Sequence, residues 1–152
     1  MQAETLADVL EWTRSVHHKL AACLAQCSAG SRSERIKMLT GYLAAHEREL
    51  DRVVGISQED ADAKALNTWV YDYFENPQIT LGAACDDTFS DKTSADVLDA
   101  VMALDAQIID LYTYLSGRAD VPSTVALIDG LLSLERHEAM LMQHQSRRLD
   151  DL

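Results

Sequence analysis

The sequence predicts an all-α protein: an antiparallel four-helix bundle of two helical hairpins, joined by a long crossover that carries a short extra helix. Three observations lead there. Apolar residues recur at 3-4 spacing through four long stretches. Helix start and stop signals bracket each stretch, and no run alternates as a strand would. The 152 residues suit one domain, 1–152, and a chain of that size buries enough apolar surface to fold without a disulfide or metal staple.

The first helix runs from about residue 5 to 28, with Gly30 as its stop. Its inward stripe is Leu6, Leu10, Thr13, His17, Leu20, Leu24 and Cys27. Ser31-Arg-Ser-Glu34 reads as a capping box for a second helix that ends at Gly55. There the stripe is Ile36, Leu39, Leu43, His46, Leu50 and Val53, and the first hairpin spans about 5–54. The crossover covers about 55–93. Ser57-Gln-Glu-Asp60 opens its short helix, Asn76-Pro77 closes it, and 78–93 shows no sustained period. Thr93-Ser94 caps the next long helix, which buries Val97, Val101, Leu104, Ile108, Leu111 and Leu115, with Asp105 and Tyr112 at the flank. Pro122 fits the first turn of the last helix. That helix turns Leu127, Leu131, Leu134, Glu138 and Leu141 inward with His137 beside them, and closes a second hairpin of about 94–149. Spacing near 3.5 favours helices packed about 20° off parallel.

The hairpins read as versions of one unit. Under a shift of 91 residues, Leu43-Ala-Ala-His46-Glu47-Arg-Glu-Leu50 falls on Leu134-Glu-Arg-His137-Glu138-Ala-Met-Leu141. Both follow Leu-x-x-His-Glu-x-x-Leu, which suggests an ancestral duplication.

Composition narrows the partners. A formal charge of −12 disfavours nucleic acid and anionic membrane, both of which want clustered Lys and Arg. The surplus of acid with only 4 Lys fits either saline surroundings or a GC-rich genome. Residues 1–30 lack a basic start and carry charges throughout, so no targeting signal is expected. No apolar run approaches the ~18 residues of a membrane span. Cys23, Cys27 and Cys85 are odd in number and form no CxxC pair. They predict an absence of disulfides and a cytoplasmic location. Cys23 and Cys27 read as small core hydrophobes rather than as ligands of a soft metal. The run Trp69-Val-Tyr71-Asp-Tyr73-Phe74 packs the crossover or forms a homodimer face, so the expected partner is a second copy of the chain. No nucleophilic triad order or phosphate-binding loop is present, and no catalytic residue is assigned.

Two helix pairs with a long crossover, a His-bearing second helix and a Trp in Ala65-Leu-Asn-Thr-Trp69 resemble the ferritin-like superfamily. The resemblance is to its small, rubrerythrin-related bacterial four-helix-bundle proteins, and it covers nearly the whole chain. It implies a di-iron centre built on Glu-x-x-His motifs of the second and last helices, plus one carboxylate from each of the others. His46 and His137 fall where the family has His, but Leu43 and Leu134 stand where it has Glu. Losing two bridging carboxylates removes most of the charge that holds a pair of hard iron ions. A standard di-iron centre is therefore not expected.

Candidate metal ligands remain. His17, His46 and His137 lie on or beside the stripes of three helices, with Glu47, Asp105 and Glu138 close to them in the helical register. Counted from the hairpin turn, His17 and His46 differ in depth by only ~4–5 Å at ~1.5 Å rise per residue. Such a set suits iron, zinc, manganese or copper. The competing reading is hydrogen-bonded core histidines with no metal. The function expected is a metal-binding bundle, with a role in metal handling or oxidative stress as the resemblance implies. Its alternative is a metal-free bundle that serves as a dimerisation or partner-binding module.

Overall fold

The structure, a computed structural model, describes residues 4–31, 33–70 and 93–150. It contains α1 (Leu6–Gly30), α2 (Glu34–Asp60), α3 (Ala63–Leu66), α4 (Ser94–Arg118) and α5 (Pro122–Asp150). The α1–α2 and α4–α5 hairpins form as expected, and α2 packs against both α5 and α4.

Local chemistry explains where the helices start. Thr5 accepts from the Asp8 amide while the Asp8 carboxylate accepts from the Thr5 amide, and Thr93 and Asp96 repeat that capping box on α4. The box expected at Ser31 does not form. Ser33 is the N-cap of α2, accepting from the Ile36 amide, while the Ser31 hydroxyl accepts from the Ser33 amide. Pro122 opens α5, where its missing N–H is no loss.

Gly55 does not stop α2, which continues to Asp60. A Cβ at Gly55 would lie 2.8 Å from Arg14 Cζ, and Arg14 Nε donates to Asp51 Oδ1 at 3.1 Å. The glycine thus makes room for a guanidinium laid across the helix, and its backbone stays helical. Ser57–Asp60 consequently form the last turn of α2, and the extra helix is a single turn capped by Asp62. Asn76-Pro77, Tyr71, Tyr73, Phe74 and Cys85 lie outside the described residues. After α3 the chain returns to the start of α1: Leu6 N donates to Thr68 O at 2.9 Å and Val70 N to Glu4 O at 2.8 Å. The resulting bridge of Thr5 with Trp69 is isolated, and the described residues hold no strand.

The core divides into two apolar clusters. One sets Leu6, Leu10 and Val16 against Ile108, Tyr112 and Leu131; the other sets Leu20, Leu24 and Leu43 against Val97, Val101 and Met142. The break between them falls near His17 on α1, Asp105 on α4 and Glu135 on α5.

The buried faces of α1 and α4 match the predicted stripes, save for half-buried Cys27; on α2 Ile36, Leu39, Leu43 and Leu50 and on α5 Leu131 and Glu138 are buried as expected, while the other expected positions are only half-buried. On α2 the face follows Ile36, Thr40, Leu43, Glu47, Leu50 and Val54. On α5 it follows Thr124, Ile128, Leu132, Glu135, Ala139, Met142 and Ser146. Both keep the alternating 4-3 spacing but in a displaced register: Thr40, Glu47 and Val54 stand one residue past the expected Leu39, His46 and Val53, and Ile128, Leu132, Glu135, Ala139 and Met142 one past the expected Leu127, Leu131, Leu134, Glu138 and Leu141. Val53, Leu134 and Leu141 therefore sit at the edge of the core and His137 is outside it.

Cys27 is a free thiol, as expected. Cys23 is disulfide-bonded, which overturns the expected absence of disulfides and removes the premise for a reducing compartment. No helix among the described residues is long and apolar enough to cross a membrane.

Candidate metal centre

Four of the long-helix side chains between the two clusters are ionisable and sealed from solvent: His17, Glu47, Asp105 and Glu135 are each at most 1% exposed. Each comes from a different helix, at the one step of its inward ladder that carries a charge.

His17 is the hub. Its Nδ1–H donates to Glu47 Oε2 at 2.6 Å, and its Nε2–H donates to Glu135 Oε1 at 2.7 Å. Asp105 Oδ1 lies 4.0 Å from Nδ1, beyond hydrogen-bond reach. Burial works against a charged ring, but the charge and hydrogen bond of Glu135, then those of Glu47, carry His17 well above the usual imidazole range. Asp105 is pushed well above the usual carboxylate range by burial and by the Glu47 charge, with His17 opposing. Burial raises Glu135 as well, again against His17.

Several oxygens are left over. Glu47 Oε1, Glu135 Oε2 and both oxygens of Asp105 are buried with no hydrogen-bond donor. Native interiors rarely leave such groups bare. Asp105 can escape by taking up a proton and sharing it with Glu47; as a carboxylate it needs a cation. One donor atom each from His17, Asp105 and Glu135 lies within 4.8 Å of the others. That spacing suits ligands around a single ion at ordinary bond lengths of about 2.0–2.2 Å.

A second pair closes the layer on one side. His46 Nδ1–H donates to Glu138 Oε2 at 2.5 Å across the α2–α5 seam, with both side chains part-exposed. The Tyr42 ring meets His46 edge-on at 4.5 Å between centroids, and the Tyr42 hydroxyl donates to Leu141 O. On the other side Tyr112 is fully buried, its hydroxyl 2.7 Å from Thr13 Oγ1, which itself donates to Leu10 O.

The structure therefore brings His17, Glu47 and Asp105 together and places His46 and Glu138 beside them. It does not bring His137, which is exposed. Glu135 takes the place expected of His137. Two residues apart means about 200° around a helix, so the two cannot share a face. Glu135 was legible in principle: 3.6-residue steps from Ile128 reach 132, 135, 139 and 142, and only 135 is charged.

No family profile and no curated protein matches the chain. Among solved structures it is similar to a Thermotoga maritima protein described as ferritin-like and diiron-carboxylate, at 14% sequence identity and a TM-score of 0.66. The likeness covers 97% of this chain and 98% of that one. The fold is ferritin-like.

In ferritin-like di-iron bundles the ligands are a Glu from each of two helices and a Glu-x-x-His from each of the other two. This chain gathers four carboxylates and two imidazoles in and beside the layer, in another arrangement. Its carboxylates are Glu47, Asp105, Glu135 and Glu138; its imidazoles are His17 and His46. Leu43 and Leu134 supply no carboxylate, as expected, while Glu47 and Glu135 bring buried carboxylates from neighbouring positions on α2 and α5.

Proposed function

We propose that the protein binds a divalent transition metal, iron foremost, at mid-bundle, with His17, Asp105 and Glu135 as ligands and Glu47 as the fourth carboxylate. One observation carries this reading: four buried carboxylate oxygens converge around His17 with no donor to satisfy them. A metal-free layer accounts for two carboxylates through a doubly protonated His17, but it leaves Asp105 to be neutralised by a proton. A divalent cation satisfies all of them together.

Charge supports the same reading. With His17 neutral, as a ligand must be, and three carboxylates ionised, the layer carries a net −3, of which one divalent ion offsets two charges. A mixed oxygen and imidazole set suits iron, manganese or zinc, and the description of the Thermotoga maritima neighbour favours iron. When bound, iron supplies Lewis acidity and one-electron chemistry. The residues of this chain hold it, exclude water and retain one ring N–H of His17 on a carboxylate, which fixes the imidazole. A role in metal handling or oxidative stress is the physiological setting we assign.

Metal analysis of protein purified without an affinity tag tests the proposal. Near-stoichiometric Fe, Mn or Zn is expected. Traces only, together with no shift in melting temperature when Fe2+, Mn2+ or Zn2+ is added to chelated protein, overturn it.

A further inference from the structure

Among the described residues the four side chains of the layer are each at most 1% exposed, yet an ion must reach them. Apolar clusters close the layer along the bundle axis in both directions. The Tyr112–Thr13 pair beside it is as deeply buried as the layer itself. Its contact with solvent on the α2–α5 side is the Glu138–His46 pair. There the His46 side chain is 18% exposed and that of Glu138 12%. Glu138 stands one helical turn from Glu135, close enough for its charge to act on that carboxylate. His46 is the chain neighbour of Glu47. Outside the pair, Glu49 is held mainly by Arg52 and also feels the charge of His46. Along α5 the carboxylates thus lead inward from part-exposed Glu138 to buried Glu135.

We propose that the Glu138–His46 pair is the port through which a divalent cation enters and leaves the buried layer, a reading that rests on the metal centre proposed above. The cation displaces His46 from the Glu138 carboxylate, Glu138 holds it at the rim, and Glu135 takes it up one turn further along α5. His46, steadied by the edge of Tyr42, swings back and closes the seam. Glu138 and His46 are here positioning residues of the route, separate from the ligand set. A group that acts only on the route lowers the barrier equally in both directions. Its loss therefore slows uptake and release together and leaves Kd nearly unchanged, whereas loss of a ligand mainly speeds release.

The test uses Co2+ as a coloured probe. Uptake by the metal-free full chain is followed in stopped flow by visible absorption, and release by excess chelator. Glu138→Gln is expected to slow both by roughly tenfold or more, the range that a lined, charged approach contributes to on-rates. His46→Ala, which removes the latch, is expected to speed both. Both side chains are part-exposed, so the changes leave the fold intact, which circular dichroism checks. Wild-type rates in both variants overturn the port, as does a Glu138→Gln chain with unchanged uptake and faster release. A wild-type chain that takes up no Co2+ at all overturns the metal reading beneath it.

Discussion

His17 and Glu135 stand 118 positions apart in the chain, yet Nε2 and Oε1 meet at 2.7 Å in the middle of the bundle. The contact ties the first helix to the last through a group that apolar packing alone would exclude. With Glu47 on the other ring nitrogen, His17 becomes a charged hub between two carboxylates, and Asp105 is the member left without a donor. The predictions below follow from that imbalance.

Asp105→Asn separates the roles of this group. Without metal the change removes a buried carboxyl and gives Glu47 an N–H donor, so stability is expected to rise by about 1 kcal/mol. With metal the same change removes a ligand and abolishes any metal-dependent rise in melting temperature. Denaturant titrations with and without chelator measure both. A loss of stability in chelated protein contradicts the unsatisfied-carboxylate account.

The pH dependence should reverse on metal binding. In the metal-free protein His17 titrates well above its ordinary 6.5, so its contribution is complete below 6.5 and is lost as pH rises through the raised value. Asp105 and Glu135, also raised, favour their protonated forms in the fold and shift stability in the same direction. Metal-free protein is therefore expected to melt lower as pH increases from neutral into the alkaline range. Metal requires deprotonated ligands, so the metal-dependent gain should grow over the same interval. Melting curves at a series of pH values check this, and parallel curves with and without metal contradict it.

His137 and Glu135 offer a direct test of the register. His137→Ala alters an exposed side chain and should change stability by no more than about 0.5 kcal/mol. Glu135→Ala strips His17 Nε2 of its acceptor inside the core and should cost about 3 kcal/mol in chelated protein. Equal effects would place both residues at the rim.

Gly55→Ala probes the seam of the first hairpin. The new Cβ displaces the Arg14 guanidinium, which weakens its bond to Asp51. Alanine in place of a mid-helix glycine returns roughly 0.5–1 kcal/mol. Because Arg14 is flexible, the expected net change is small, within about 1 kcal/mol. A loss of several kcal/mol, read from denaturant midpoints, would show that the guanidinium cannot move aside.

Much of the architecture was legible in the chain. Thr5, Thr93 and Pro122 marked helix starts through local hydrogen bonding, which nearby sequence dictates. The stripes of α1 and α4 could be read because their apolar residues fall on one 3-4 register. On α2 and α5 two registers one residue apart both carry apolar residues, and the count took those of His46 and Glu138 where packing turns Glu47 and Glu135 inward. Gly55 misled for a related reason: its glycine serves an arginine from another helix, and nothing local records that.

The sequence by itself determined four long amphipathic helices in two hairpins, because helix periodicity and capping act over a few residues. It also determined that His17 belongs to an inward face, with Asp105 at the flank of another. Only the tertiary structure decided which carboxylates join them, that His137 stays outside, and that Asp105 lacks a donor. A charge one residue along a helix differs by about 100° in direction, and only packing against the other three helices selects which direction is inside.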